Sequence, residues 1–275
     1  AFEDLTLFDA PGLPSKAACI ANTLLALQFA YHMASRGKRV GFFSLETNAL
    51  KLTRRLVAQR ARIPMSDLKA KRLTDDALRD LMAFGSASSA VPLLLYDAAG
   101  CSVEDLRAAA AADRLDVLYV DYVQLLSAPG RERWEIVTAI SMGLHTMAQQ
   151  LGVAVVGLSQ ITSQDKKSRT KPDKDDLRES KQLKQDADLI LMMALADPED
   201  SESLRWLRVA KNKDGPLLSV CLRFDPEHMD FTATDSRAFK PKAAKKPSES
   251  ASKKADEDLV FSSTAEKSAS KKTVL

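Results

Sequence analysis

Three polar side chains stand where apolar runs of strand length come to an end. Glu46 follows VGFFSL, Asp121 follows LDVLYV, and Gln160 follows VAVVGLS. An acid at the end of a buried run can orient a nucleotide-bound Mg²⁺ through water, and a second carboxylate can polarise an attacking water. Glu46 is the candidate for that second role, and Gln160 is the candidate sensor of a γ-phosphate. Each residue alone also fits a helix cap or a turn, where acids commonly end strands.

A scaffold that gathers these strand ends is predicted by the hydrophobic pattern. Apolar runs of strand length begin at Leu5, Val40, Val91, Leu115, Val153 and Asp188, and several are separated by segments of helical period. Such alternation is typical of an α/β fold with a mostly parallel sheet and helices on both faces. A later pair of strands with an Asp214-Gly215 turn predicts a β-hairpin at the sheet edge. Ligands in these folds bind beyond the carboxyl ends of the strands.

Composition excludes several classes of protein. Hydrophobic residues make up 45% of the 275 residues and charged residues 28%, which argues against fibrous and wholly disordered chains. No run of about 18 apolar residues and no secretory signal is visible, so we predict no membrane span and a cytoplasmic location. Three cysteines lie far apart without metal-ligand spacing, which supports neither a disulfide framework nor a zinc site.

A change in composition near residue 238 predicts a domain boundary. Residues 238–275 contain nine lysines against five acidic residues, are rich in Ser and Ala, and show no sustained apolar period. Such a segment cannot bury enough surface to offset its chain entropy. We therefore expect residues 1–237 to form one domain and residues 238–275 to form a disordered tail.

Five ordered strings carry a family resemblance: FFSLET, LYVDYVQLL, GVAVVGLSQ, DLRESKQLKQDADLI and AKNKDGP. In this order and spacing the chain resembles the motor domain of DnaB-type replicative helicases from roughly Asp4 to Thr232. The resemblance implies a RecA-like P-loop ATPase fold, ATP and Mg²⁺ as cofactors, single-stranded DNA as a partner and a homo-hexameric ring. Primase or a loader would be contacted through a region N-terminal to this chain.

The resemblance also implies roles for residues of the nucleotide site. It makes Glu46 the catalytic glutamate, Asp121 the Walker B acid and a metal ligand, and Gln160 the γ-phosphate sensor. Lys211 and Lys213 match the basic residues that reach the nucleotide of a neighbouring subunit. Lys213 stands where the family usually has arginine, so the charge is kept but the bidentate fork is lost.

A second group of residues matches the loop that holds DNA in the central channel. Arg178 and Glu179 match its DNA-contacting positions, and Lys181 stands where glycine is typical. Glycine lets backbone amides approach a phosphate closely, whereas lysine contacts it by charge. A solvated patch within a helix is the alternative interpretation of Arg178 and Glu179.

The phosphate loop departs most from the family pattern, because GxxxxGK[ST] is missing. Counting forward from the first strand places Lys16 at the lysine of that motif. Counting backward from the second strand places Ala21-Asn22-Thr23 at Gly-Lys-Thr, so about six extra residues, AACIAN, interrupt the motif. Either Lys16 binds nucleotide from a remodelled loop with Thr23 nearby as nucleotide and metal ligand, or the phosphate site is broken.

Two functions are therefore expected. The first is an ATP-hydrolysing DNA helicase motor that translocates on single-stranded DNA during replication. The alternative is a hydrolysis-deficient DnaB-like ring or DNA-binding protein with a degenerate phosphate loop.

Overall fold

A computed structural model of the chain describes residues 5–9, 15–159, 181–195 and 204–234, with side chains from residues 20–159, 182–195 and 204–234. The predicted tail and the segment that contains Gln160, Arg178 and Glu179 lie outside these ranges. The elements in chain order are β1 (Leu5–Asp9), α1 (Ser15–Ser35), β2 (Val40–Ser44), α2 (Ala49–Arg60), α3 (Met65–Ala70), α4 (Asp75–Ser88), β3 (Leu93–Asp97), α5 (Val103–Ala112), β4 (Val117–Asp121), α6 (Arg133–Leu151), β5 (Ala154–Leu158), α7 (Lys181–Asp186), β6 (Leu189–Leu195), β7 (Leu204–Asn212), β8 (Ser219–Asp225) and β9 (Asp230–Thr234).

Within the described ranges, nine strands form one sheet in the order β3-β2-β4-β5-β1-β6-β7-β8-β9. The strands from β3 to β6 in this order pair in parallel, and β6, β7, β8 and β9 pair antiparallel. Every strand predicted from the sequence is present, and the predicted hairpin is formed by β7 and β8. The sequence did not predict β9, which lies outside the hairpin and forms the sheet edge.

The central parallel strands β2 and β4 are buried on both faces, as their continuous apolar sequences require. Along β4, Leu118 and Val120 pack with α5 and α6, whereas Val117 and Tyr119 pack on the opposite face with α1. Each face has its own large apolar cluster, and helices cover both. This arrangement places the carboxyl ends of β2, β4 and β5 next to one another on the same side of the sheet, since parallel strands end on the same side. Among the described helices, none is long and apolar enough to cross a membrane.

The side chain of Gln28 on α1 satisfies the backbone of the edge strand β9. Its Nε2 donates to the Phe231 carbonyl oxygen at 2.7 Å, and its Oε1 accepts from the Phe231 amide at 3.1 Å. From α2, the Gln59 Nε2 donates to the Met229 carbonyl oxygen at 2.6 Å. The two glutamines therefore bind β9 and the preceding turn to the first two helices.

We predict that Gln28→Ala destabilises the fold, because it leaves the amide and carbonyl of buried Phe231 without these partners. The free energy of unfolding should fall by about 1 to 3 kcal/mol in urea denaturation followed by circular dichroism. Gln149→Ala on the exposed face of α6 is the matched control and should change it by less than about 0.5 kcal/mol. Equal losses in both variants would contradict the role assigned to Gln28.

Candidate nucleotide site

A hydrogen bond between Thr23 and Asp121 forms the centre of the candidate site. The Thr23 hydroxyl on α1 donates to Asp121 Oδ2 at 2.7 Å, and both side chains are buried. Asp121 is the last residue of β4, so its carboxylate emerges where the strand leaves the sheet. The structure thus brings together the two residues that the sequence predicted as metal ligands.

Burial raises the pKa of Asp121 to about 6. The hydrogen bond from Thr23 and the positive charge of Arg55 oppose this rise, whereas the negative charge of Glu46 adds to it. The Thr23–Asp121 bond and the charge of Arg55 therefore both favour the ionised form of this buried carboxylate.

Glu46 lies beside this pair, just beyond the end of β2. Ser44, the last residue of β2, is the register partner of Asp121, and the Leu45 amide donates to the Asp121 carbonyl oxygen at 2.8 Å. The Ser44 hydroxyl then accepts from the Thr47 amide at 3.2 Å, which fixes the turn that contains Glu46. The Glu46 side chain is exposed, so it is accessible to a ligand.

Asp97 shows the structural role that a strand-end acid can have instead. It ends β3, and its Oδ1 accepts from the Ala49 amide at 2.6 Å, at the first turn of α2. Asn48 completes that cap by accepting from the Lys51 amide at 3.0 Å. Among the described residues, the hydrogen-bond partner of the Asp121 carboxylate is a side chain and not a helix amide. The capping interpretation therefore fits Asp97 and does not fit Asp121.

The end of β5 is joined to the segment that follows β4. The Gln124 Nε2 donates to the Ser159 hydroxyl at 2.8 Å, and Ser159 is buried. This bond holds the residue that directly precedes Gln160. Gln160 itself lies outside the described residues, so its role as γ-phosphate sensor stays a prediction.

The six residues inferred to interrupt the phosphate loop, 17–22, lie inside helix α1. A remodelled loop at these positions, one of the two interpretations of the sequence, is therefore not what the structure contains. Lys16 and Thr23 are seven residues apart on one helix, so their Cα atoms are separated by roughly 10 Å along its axis. The backbone amides of Asn22 and Thr23 lie beyond the first turn, where amides donate to carbonyls within the helix. The amides at the helix start, which favour phosphate, are thus separated from the Thr23–Asp121 pair.

Asn22 occupies the position that lysine has in the family motif. Its side chain is buried, and its Oδ1 has no hydrogen-bond partner among the described residues. An amide at this position supplies no positive charge to a phosphate. The side chain of Lys16 lies outside the description, so whether it supplies that charge stays a prediction.

The two lysines predicted to act on a neighbouring subunit lie at the end of β7 and in the turn after it. The Lys211 Nζ donates to the carbonyl oxygens of Lys184 and Gln185, and Lys213 forms an ion pair with Asp188. Lys181 is the first residue of α7, but its side chain is not described. Together with Arg178 and Glu179 it remains a predicted DNA contact.

The sequence interpretation missed Arg55, a half-buried residue of α2. Burial lowers the pKa of its guanidinium, while the negative charges of Asp121 and Glu46 oppose that shift. Arg55 is therefore a cation that interacts electrostatically with both candidate acids, Asp121 and Glu46. A signal was present in the sequence, because Arg55 lies between the apolar residues Leu52 and Leu56 on a helix that begins three residues after Glu46.

The donor set around Asp121 fits a magnesium ion. Mg²⁺ prefers oxygen ligands and is usually held by one or two protein groups together with substrate phosphates and water. Thr23 and Asp121 provide a hydroxyl and a carboxylate in direct contact. Over the part of the chain that the structure describes, no cluster of three or more His, Cys, Asp or Glu side chains could hold a metal without such a substrate.

We predict that Asp121 makes stability depend on pH. A carboxyl whose pKa is raised by folding contributes stability that is fully present below its ordinary pKa of 3.8 and is lost as pH rises through about 6. Urea unfolding from pH 4 to 8 should show wild type losing on the order of 2 to 3 kcal/mol relative to Asp121→Asn. Asp80→Asn on exposed α4 should follow wild type. A loss that runs in the opposite direction would contradict the raised pKa.

Comparison with known proteins places this geometry in a family. Residues 15–233 match the family model described as DnaB-like helicase C terminal domain. The chain is 31% identical over 232 residues to the replicative DNA helicase DnaB of Geobacillus stearothermophilus, covering 79% of this chain and 51% of that protein. It is 30% identical over 227 residues to a probable plasmid replicative DNA helicase of Chlamydia trachomatis, covering 78% of this chain and 48% of that one. The chain thus spans about half the length of these curated relatives.

Solved structures agree with the sequence comparison. One, described as an ATPase domain, superposes with a TM-score of 0.77 at 28% identity, covering 85% of each chain. A DnaB-like replicative helicase, studied with its interactions with primase, gives a TM-score of 0.74 at 29% identity over 83% of this chain and 57% of that one. The predicted RecA-like α/β fold is confirmed. From its residues 15–233 and the fold they form, the chain belongs to the family of DnaB-like helicase C-terminal domains.

Proposed function

We propose that this chain is the ATP-hydrolysing motor of a replicative DNA helicase that translocates on single-stranded DNA. The observation that carries the proposal is the buried contact between Thr23 and Asp121 with Glu46 at the neighbouring strand end. Family membership supports it, since the named relatives are replicative DNA helicases.

Each described residue has a chemical task in this proposal. Thr23 and Asp121 hold Mg²⁺, which when bound neutralises charge on the β- and γ-phosphates of ATP. Glu46 accepts a proton from the water that attacks the γ-phosphorus, and ADP leaves as the bond to its β-phosphate oxygen breaks. Gln160, which lies outside the described residues, is assigned contact with the γ-phosphate. The positive charge of Arg55 offsets part of the negative charge of Asp121 and Glu46.

The remaining predicted residues act between copies and on DNA. Lys211 and Lys213 reach the nucleotide of a neighbouring copy in a homo-hexameric ring, where they offset charge on its phosphates. Arg178, Glu179 and Lys181 contact single-stranded DNA, and repetition around a ring multiplies their contribution. Primase is a further candidate partner, since a related DnaB-like helicase was studied with its interactions with primase.

We predict that Glu46→Gln abolishes ATP turnover and leaves nucleotide binding intact, because only the group that accepts the proton is lost. Turnover should fall about 100-fold or more in an assay of phosphate release with and without single-stranded DNA. Asp121→Asn should also weaken Mg²⁺-dependent binding. Glu227→Gln, an exposed change in the turn before β9, is the control. Turnover unaffected by either site variant would show that these residues have other roles.

The helix that replaces the phosphate loop gives the second test. Two missing charge-assisted hydrogen bonds, at about 1.5 to 3 kcal/mol each, would weaken ATP binding by roughly 150-fold or more. We therefore expect weak ATP binding by this chain, and recovery when residues 14–23 are replaced by an intact GxxxxGK[ST] loop. Calorimetric titration of both versions measures this.

Lys16→Ala provides the third arm of that titration. Tight ATP binding that survives Lys16→Ala would contradict an impaired phosphate site and a role for Lys16. Absence of binding in both the native and the repaired chain would instead favour the hydrolysis-deficient alternative.

A further inference from the structure

Lys213 and Asp188 face each other across the pairing of β6 and β7. Leu189 and Asn212 are register partners in this antiparallel pair, which places the residues just beyond them opposite one another. The Lys213 amide donates to the Asp188 carbonyl oxygen at 3.0 Å, and the Lys213 ammonium forms an ion pair with the Asp188 carboxylate. Backbone and side chain therefore both fix this pair.

Lys211 contacts the same segment from two residues away. Its Nζ donates to the carbonyl oxygen of Lys184 at 2.6 Å and to that of Gln185 at 3.1 Å, in the last turn of α7. Carbonyls at a helix end have no partner within the helix and carry partial negative charge, which attracts an ammonium group. A bulge near Ile190 and Leu191 shifts the register just before Lys211.

The α7 segment is itself anchored to the domain. Asp186 Oδ2 accepts from the fully buried Ser141 hydroxyl of α6 at 2.7 Å, and its Oδ1 accepts from the Gln182 Nε2 at 2.8 Å. Both lysines are thus held by a segment with fixed contacts to α6.

The two members of the ion pair differ in solvent exposure. The Asp188 side chain is 14% exposed, whereas the Lys213 side chain is 47% exposed, so the ammonium remains accessible to a ligand. A partly exposed pair of this kind contributes little to stability. Lysine has a flexible four-carbon stem with many rotamers, so the main effect of the pair is to restrict where the ammonium lies.

We infer that Asp188 is a positioning residue for Lys213 and, with the carbonyl end of α7, presents Lys211 and Lys213 together to the nucleotide of a neighbouring copy. This inference rests on the proposed function, which assigns the two lysines to that nucleotide. Because Lys181, one of the predicted DNA contacts, is the first residue of α7, the same short segment connects that residue to both lysines.

The test measures ATP turnover by the full chain in the presence of single-stranded DNA. Asp188→Asn should lower kcat by about 10- to 100-fold, because the ammonium is misplaced and not removed. Asp188→Glu should restore much of the rate. Asp188→Asn combined with Lys213→Gln should be no slower than Lys213→Gln alone, because Asp188 acts through Lys213. Asp214→Asn, an exposed acid in the next turn position, is the matched control.

A general structural role for Asp188 would give a different pattern. The rate losses of Asp188→Asn and Lys213→Gln would then multiply in the double variant, which overturns the inference, as does an unchanged kcat in Asp188→Asn. If wild type does not turn over ATP, the proposed function fails, and titration of a fluorescent ADP analogue decides the inference. Equal and non-multiplying losses of ADP affinity in the two single variants support it, whereas multiplying losses or no ADP binding overturn it.

Discussion

The bond from Thr23 to Asp121 is the contact on which the candidate site depends. It joins the first helix to a central strand, and it does so where burial alone would favour a protonated carboxyl. The other groups are arranged around it: the turn after β2 carries Glu46, α2 carries Arg55, and the Gln124–Ser159 bond fixes the end of β5. Loss of the bond would remove a contact that aligns the acid and would raise its pKa further.

The parallel strand ends were predictable from the sequence, because burial on both faces leaves a continuous apolar run that stops at a polar residue. Glu46 and Asp121 were expected to meet for that reason, and the pairing of β2 with β4 brings them together. The edge strand β9 was not predictable in the same way. Its sequence, DFTAT, is short and partly polar, and its position depends on side chains from distant helices.

The phosphate site shows a different limit on prediction from sequence. Alignment of the flanking strands located the six extra residues but left open whether they form a remodelled loop or break the phosphate site. Ala, Cys, Ile and Asn are all compatible with a helix, and the structure places these residues inside α1. Arg55 and Asp188 were missed because each acts through a partner on another element, a relation that depends on helix packing and strand register.

Gln28 has a consequence beyond the stability of β9. The amide and carbonyl of Phe231 point away from β8 and would otherwise be open to a strand from another molecule. A side-chain amide offers the same donor and acceptor as a backbone and so takes the place of that strand. Edge-to-edge aggregation of sheets through this position is therefore blocked by Gln28, a side chain of the first helix. No charged residue at position 231 is needed for this protection.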